Sequence, residues 1–179
     1  MLIWIWDSKY DNQRRDVPPL FGMNKAAVIQ KILEVLRSEL ETYVRAAKFS
    51  HAEATAEENR AENKYDTRGL EASYLAAGQA NKVAELESAL ETFEGLKEQP
   101  ASDAVEIGSL VELQQDGFVE WYFVGPIAGG TEIEIDDTEV LVITPESPLG
   151  SQIIGLEAGA KASLELGGQT QKAVVQAVL

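Results

Sequence analysis

The residues best suited to chemistry in this 179-residue chain are carboxylates gathered in one short stretch. The run from His51 to Lys64 holds Glu53, Glu57, Glu58 and Glu62, with Asp66 just beyond. Carboxylate oxygens are hard donors, the kind that Mg²⁺ accepts while keeping several of its waters. Glu58 and Glu62 stand one turn apart on a helical backbone, so both could reach a single ion. The bland alternative is a solvated helical turn. Other chemistries are poorly served. His51 is the only histidine and has no cluster of partner ligands, which leaves it solvated rather than zinc-binding or catalytic. There is no cysteine, so disulfides and thiolate metal sites are excluded. No Ser-His-Asp or Cys-His arrangement is available. Gly129-Gly130 lacks a following helix and lysine, and therefore reads as a turn and not a phosphate loop.

A carboxylate cluster acts only where a scaffold presents it, and the flanking sequence supplies one. From Asn24 to Lys97 there is no proline, and the composition is dominated by good helix formers. Apolar residues recur at Ile29, Leu33, Leu36, Leu40, Tyr43 or Val44, and Ala47, in heptad-like steps of three and four. A second arm repeats the pattern at Leu75, Gln79, Val83, Leu86, Leu90 and Phe93. Two helices with narrow stripes bury them most economically against each other, as an antiparallel coiled-coil hairpin. Arms running from Lys25 to Lys97 fold back near residue 61, each about 35 residues or roughly 50 Å long at the helical rise. The apolar seam stops between Phe49 and Tyr65, which places the acidic run at the hairpin tip. Gly95 and the stretch from Glu98 to Asp103, with Pro100, end the hairpin and form a linker.

Beyond the linker the period changes to two. Strands are predicted at 110–113, 118–124, 131–135, 139–143, 163–166 and 172–178. Turns are predicted at Gln115-Asp-Gly117, Asp136-Asp137 and Gly167-Gly168, where Asp-Gly and Gly-Gly supply the positive φ that tight hairpins need. Ser147 to Ile154 reads as a short helix with Pro148 at its first position. Trp121, Tyr122 and Phe123 alternate along one strand and read mostly as core. The expected fold is α+β: a helical hairpin over 23–99, then one small antiparallel sheet of five or six strands with one short helix over 104–179.

Charge divides along the same boundary. Residues 23–100 carry 14 acidic and 10 basic side chains, net −4, whereas residues 101–179 carry 13 acidic residues and two basic ones, Lys161 and Lys172, net −11. A domain this acidic repels phosphate backbones, which argues against nucleic-acid binding of its own and for a basic protein surface or simple solubility. No run approaches the ~20 apolar residues of a membrane helix. Residues 1–22 combine Trp4, Trp6 and Tyr10 with Arg14, Arg15, Pro18 and Pro19 and lack lasting periodicity or the features of a secretory signal. Two readings of them stand: a non-native or flexible extension ahead of a natural start at Met23, or a tail packing its tryptophans on the body.

The stretch Thr144 to Gly159 resembles the carboxyl-terminal signature of the Gre family of bacterial transcript-cleavage factors. The shared features are Ser147-Pro148 opening a short helix, Ile153-Ile154-Gly155, and Gly159 four residues on. Gly167-Gly168 and the strand Lys172 to Val178 follow in the family's order and spacing, and the strand before Gly125 also matches. With the helical hairpin ahead of this domain, the resemblance covers residues 25–179. It implies an FKBP-like carboxyl domain that docks at the rim of the RNA polymerase secondary channel, with Ser147, Pro148 and Gly155 at the partner-binding surface. It implies a hairpin entering that channel, so that the tip carboxylates Glu58 and Glu62 complete a second Mg²⁺ site shared with the polymerase. Two-metal hydrolysis uses one ion to activate the nucleophile and the other to stabilise the leaving oxygen. The chain would then be a cytoplasmic, monomeric accessory factor with no cofactor of its own. It would not itself be an enzyme, and would stimulate the polymerase's hydrolytic activity.

The tip departs from the family's Asp-x-x-Glu-Asn-Ala-Glu-Tyr. In one register Glu62-Asn63 aligns, with Tyr65 one residue short of the family spacing, and Asn59 occupies the aspartate position; in the other Glu58-Asn59 aligns and Thr55 occupies it. The basic residues that the family often carries after Ser-Pro and after the glycine are replaced by Gly150, Ser151, Gln152 and Leu156. Three alternatives therefore remain: a channel binder without cleavage activity, an FKBP-like isomerase or chaperone module, and a hairpin serving self-association.

Overall fold

The computed structural model describes residues 23–55, 68–100, 102–115 and 117–179. Asn24 opens the first helix: its Oδ1 accepts the Ala27 N–H at 2.8 Å while its carbonyl takes the first helical bond, from Val28. This is the N-cap arrangement that a short polar side chain provides. Helix α1 spans Lys25–Thr55 and α2 spans Arg68–Gly95. Arg37 pairs with Glu94 at 2.5 Å, and Ala46 and Phe49 share a cleft with Ala72 and Leu75. The start of α1 thus lies beside the end of α2, and the arms are antiparallel. Gly95 does not stop the helix in a left-handed conformation. Its φ is −63°, and the chain continues through a 3₁₀ turn, Leu96–Glu98, before Gln99 becomes extended.

The seam follows the predicted spacing at its base and loosens distally. Val28, Ile29, Ile32, Leu33, Leu36, Leu86, Ala89 and Phe93 are buried. Val28, Ile32 and Ala89 lie outside the predicted heptad positions, and they are buried because α1 and α2 meet the sheet there as well as each other. Farther out, Leu75 is 56% exposed and Phe49 69%. They border a cleft of about 230 Å³ also lined by Ala46, Ser50, Glu53, Ala72 and Gln79. The alanines are too small to close it. Gln79 occupies a seam position, and its Oε1 is buried without a hydrogen-bond partner. Removing a buried orphan acceptor in favour of an apolar isostere relieves its desolvation penalty. Gln79→Met is therefore expected to raise unfolding stability by about 1 kcal/mol. Urea midpoints of the two proteins check this, and a lowered midpoint would contradict it.

Six strands form one sheet in the order β3-β4-β2-β1-β6-β5. They are β1 Leu110–Gln115, β2 Phe118–Val124, β3 Glu132–Ile135, β4 Thr138–Ile143, β5 Lys161–Leu166 and β6 Gln169–Val178. The predicted turns carry the expected conformations: φ is +91° at Gly117, +48° and +60° at Asp136 and Asp137, and +59° and +77° at Gly167 and Gly168. Such backbones match the twist of two-residue hairpins. One expectation fails. The sheet is not wholly antiparallel, because β2 and β4 pair in parallel, Trp121 opposite Val140 through Val124 opposite Ile143. After β2 the chain steps past one strand position to lay β3 at the edge, and β4 returns into the gap. Period-two alternation identifies strands but carries no information on their direction.

Alternation along β2 divides the core in two. Trp121 and Phe123 face the helices, joining Leu110, Ile133, Val140 and Val142 against Val28, Ile32 and Phe93. Tyr122 and Val124 face the other way, with Val111, Leu113, Leu164, Val175, Leu149 and Ile153. Trp121, Tyr122 and Phe123 are buried, as expected, whereas Phe118 at the start of β2 is exposed. The first of these cores includes residues of both helices and of four strands, so the root of the hairpin and the sheet pack as one body. The linker is pinned too: the Gln99 amide donates to the Ile107 carbonyl at 2.8 Å, and a side chain at Gly108 would collide with it.

Candidate functional site

The short helix α3, Gly150–Ile153, lies over the second core. Its capping begins earlier. Ser147 Oγ accepts the Gly150 N–H at 2.9 Å, and the Ser147 carbonyl accepts the Ser151 N–H at 3.0 Å. Ser147 therefore performs the N-cap role, and Pro148 follows where a missing N–H costs nothing. The regular helix is shorter than the predicted 147–154. Ile154 has already turned to an extended conformation, and Gly155 takes φ +82°.

Between the segment 144–149 and the sheet lies a groove of about 460 Å³. Ser147, Pro148 and Leu149 form one side. Tyr122, Leu141 and Ile143 contribute from β2 and β4, and Leu166 from the end of β5. Gly129 and Gly130, in the turn between β2 and β3, border it as well. The lining is mostly apolar with a few polar groups, the character of a binding cleft. The Tyr122 side chain is fixed in place by hydrogen bonds of its hydroxyl. Its hydroxyl donates to Glu120 Oε2 at 2.7 Å, and Gln115 Nε2 donates to both oxygens, at 3.0 Å to the carboxylate and 3.3 Å to the hydroxyl. Burial, reinforced by the hydrogen bond and charge of Glu120, holds the phenol well above its usual range, so it stays protonated.

The predicted partner-binding residues are not all brought together. Ser147 and Pro148 line the groove. Gly155 does not. It lies past the far end of α3, where its N–H donates to the Val105 carbonyl at 2.8 Å and ties the end of α3 to the start of the sheet domain. Glu58 and Glu62 lie outside the described residues, as do Asn59, Trp4 and Trp6. Of the tip positions considered, Thr55 is described, and its hydroxyl back-bonds to the His51 carbonyl at 2.9 Å. Its donor is spent within its own helix. His51 is exposed at the end of α1. Among the described residues no group of three or more His, Asp or Glu side chains is placed to hold a metal ion. No helix there is long and apolar enough to cross a membrane.

Sequence reasoning missed the other walls of the groove. The sequence marks Tyr122 as core, and its ring is buried, but it also lines the groove. Leu141 and Leu166 carried no signal beyond alternation, because only closure of the sheet brings the end of β5 near β4.

No protein-family profile matches the chain, and no curated protein matches it. Among solved structures, GreA factor homolog 1 (Gfh1) of Thermus thermophilus is similar, with TM-score 0.35 and 19% identity over 86% of this chain and 94% of that one. A structure described as the transcription factor Gfh1 gives TM-score 0.36 and 20% identity over 86% and 92%. Gfh1 of Thermus aquaticus gives TM-score 0.36 and 22% identity over 87% and 96%.

Proposed function

We propose that this chain is a Gre-like transcription elongation factor that binds RNA polymerase at its secondary channel. There it promotes rescue of backtracked complexes by stimulating cleavage of the nascent transcript. The observation that carries the reading is the placement of two features on opposite faces of one sheet. The Ser147–Pro148 groove lies on the face away from the helices, and the root of the hairpin is built into the core of the other. Docking through the groove then leaves the hairpin free to project. With 31 residues, α1 alone provides a lever of about 46 Å. Its junction with the sheet is packed with side chains rather than hinged. The acidic character of residues 101–179 favours a basic partner surface.

In this reading Glu58 and Glu62 are the carboxylates that would hold the second Mg²⁺, which supplies charge stabilisation and an activated water when bound. The absence of an aspartate from the tip position in both registers supports a second reading: a channel binder that competes with cleavage factors and does not itself stimulate cleavage.

Polymerase halted in a backtracked complex separates the two. With Mg²⁺ and saturating protein, short 3′ RNA fragments should be released, and Glu58→Ala with Glu62→Ala should return release to the level of polymerase alone. Binding and competition without fragments would establish the second reading. Absence of binding would sink both.

A further inference from the structure

We infer that Gln152 is a positioning residue that sets the width of the docking groove. This deepens the polymerase-binding reading and rests on it. The side-chain amide of Gln152 spans two elements 13 residues apart in sequence. Its Nε2 donates to the Pro148 carbonyl at 2.5 Å and to the Glu165 carbonyl at 3.1 Å, and its Oε1 accepts the Glu165 N–H at 2.7 Å. The two amide hydrogens and the oxygen are all engaged.

The positions of these partners give the brace its consequence. Pro148 is part of one wall of the groove, and Leu166, next to Glu165, is part of the other. β5 is the last strand of the sheet, so one edge of it has no neighbouring strand. At Glu165 the Gln152 amide stands in for that neighbour, offering a donor and an acceptor as a strand backbone would. It satisfies edge groups that would otherwise invite another chain, and it ties the edge to the segment carrying Ser147 and Pro148. Besides it, apolar packing of Leu149, Ile153 and Leu166 on the common core joins the two walls. A groove that must receive a partner surface gains affinity when its walls are held in the receptive spacing beforehand.

Gln152 acts through the groove walls and not on the partner, so its test needs readouts that a purely structural contribution would not move. Gln152→Met keeps the length and removes all three hydrogen bonds. Gln152→Glu keeps the acceptor for the Glu165 N–H but turns carboxylate oxygen toward two carbonyls. In the free full-length protein, hydrogen exchange at the Glu165 amide should speed up at least about tenfold in the Met variant, because that N–H loses its acceptor. It should stay nearer to wild type in the Glu variant. Both variants should bind polymerase about tenfold more weakly than wild type, with thermal transitions within a few degrees of it. Unchanged exchange at Glu165 would overturn the brace itself. Faster exchange with unchanged affinity would overturn its positioning role. If wild-type protein fails to bind polymerase, the functional reading falls, and the brace stands or falls on the exchange data alone.

Discussion

Phe93→Ala is expected to lower unfolding stability by about 4 kcal/mol, more than any other single truncation in the hairpin. Phe93 is fully buried and belongs to the core in which α1, α2 and the sheet meet. Its ring centre lies 6.0 Å from that of Phe123, tilted by 34°. Truncation removes the largest apolar side chain contributed by α2 and leaves a cavity bounded by two elements that cannot both relax into it. The lost aromatic pair adds roughly 1 kcal/mol to the transfer and cavity terms. For a chain of this length the midpoint should fall by roughly 8–16 °C. A double cycle with Phe123→Ala should show positive coupling, since the two rings share one contact.

The cooperativity of the transition tests the shared core more sharply. If hairpin and sheet unfold as one body, helical circular dichroism and exchange of sheet amides in β2 should be lost together, and Phe93→Ala should shift both. A hairpin that melts separately, or a loss below about 1 kcal/mol, would mean that the helices merely rest on the sheet. The lever in the proposed function depends on this outcome, because a hairpin with a soft root cannot deliver its tip to a defined place.

The second large effect is expected at Gly150. A Cβ there would lie 2.0 Å from the Thr144 carbonyl oxygen and 2.9 Å from Ser147 Oγ. The first is a backbone atom and cannot swing aside. Gly150→Ala should therefore push the 144–149 segment away from α3, at a cost of about 3 kcal/mol. It should also disturb the cap in which Ser147 accepts the Gly150 N–H. Since Ser147, Pro148 and Leu149 are one side of the groove, polymerase affinity should fall with stability. Gly155→Ala is the matched control. It has free space around it and lies outside the groove, but its φ of +82° is unfavourable for alanine. It should lose stability, about 1 kcal/mol, while retaining affinity. Equal affinity for wild type and Gly150→Ala would remove the groove from the docking surface.

Much of this molecule follows from local pattern. Steps of three and four from Ile29 to Phe93 specify two helices with facing stripes. Alternation from Leu110 to Val178 specified the strands, and Asp-Gly, Asp-Asp and Gly-Gly specified their turns. Each of these depends on a residue and its near neighbours, through propensity, periodicity and the sign of φ. The Ser147-Pro148 cap is local too, and so was legible. Tertiary structure decided what depends on residues far apart in the chain. The parallel pairing of β2 with β4, the extra buried stripe of Val28 and Ile32, and the meeting of Tyr122, Leu141 and Leu166 with Pro148 all require the closed sheet. The Gln152 brace belongs to this class, since a glutamine side chain carries no mark of the backbone it will bind 13 residues away. The carboxylates from which the functional reading began, Glu58 and Glu62, lie outside the described residues. What the fold shows is the hairpin root, packed against one face of a sheet whose other face bears the Ser147–Pro148 groove.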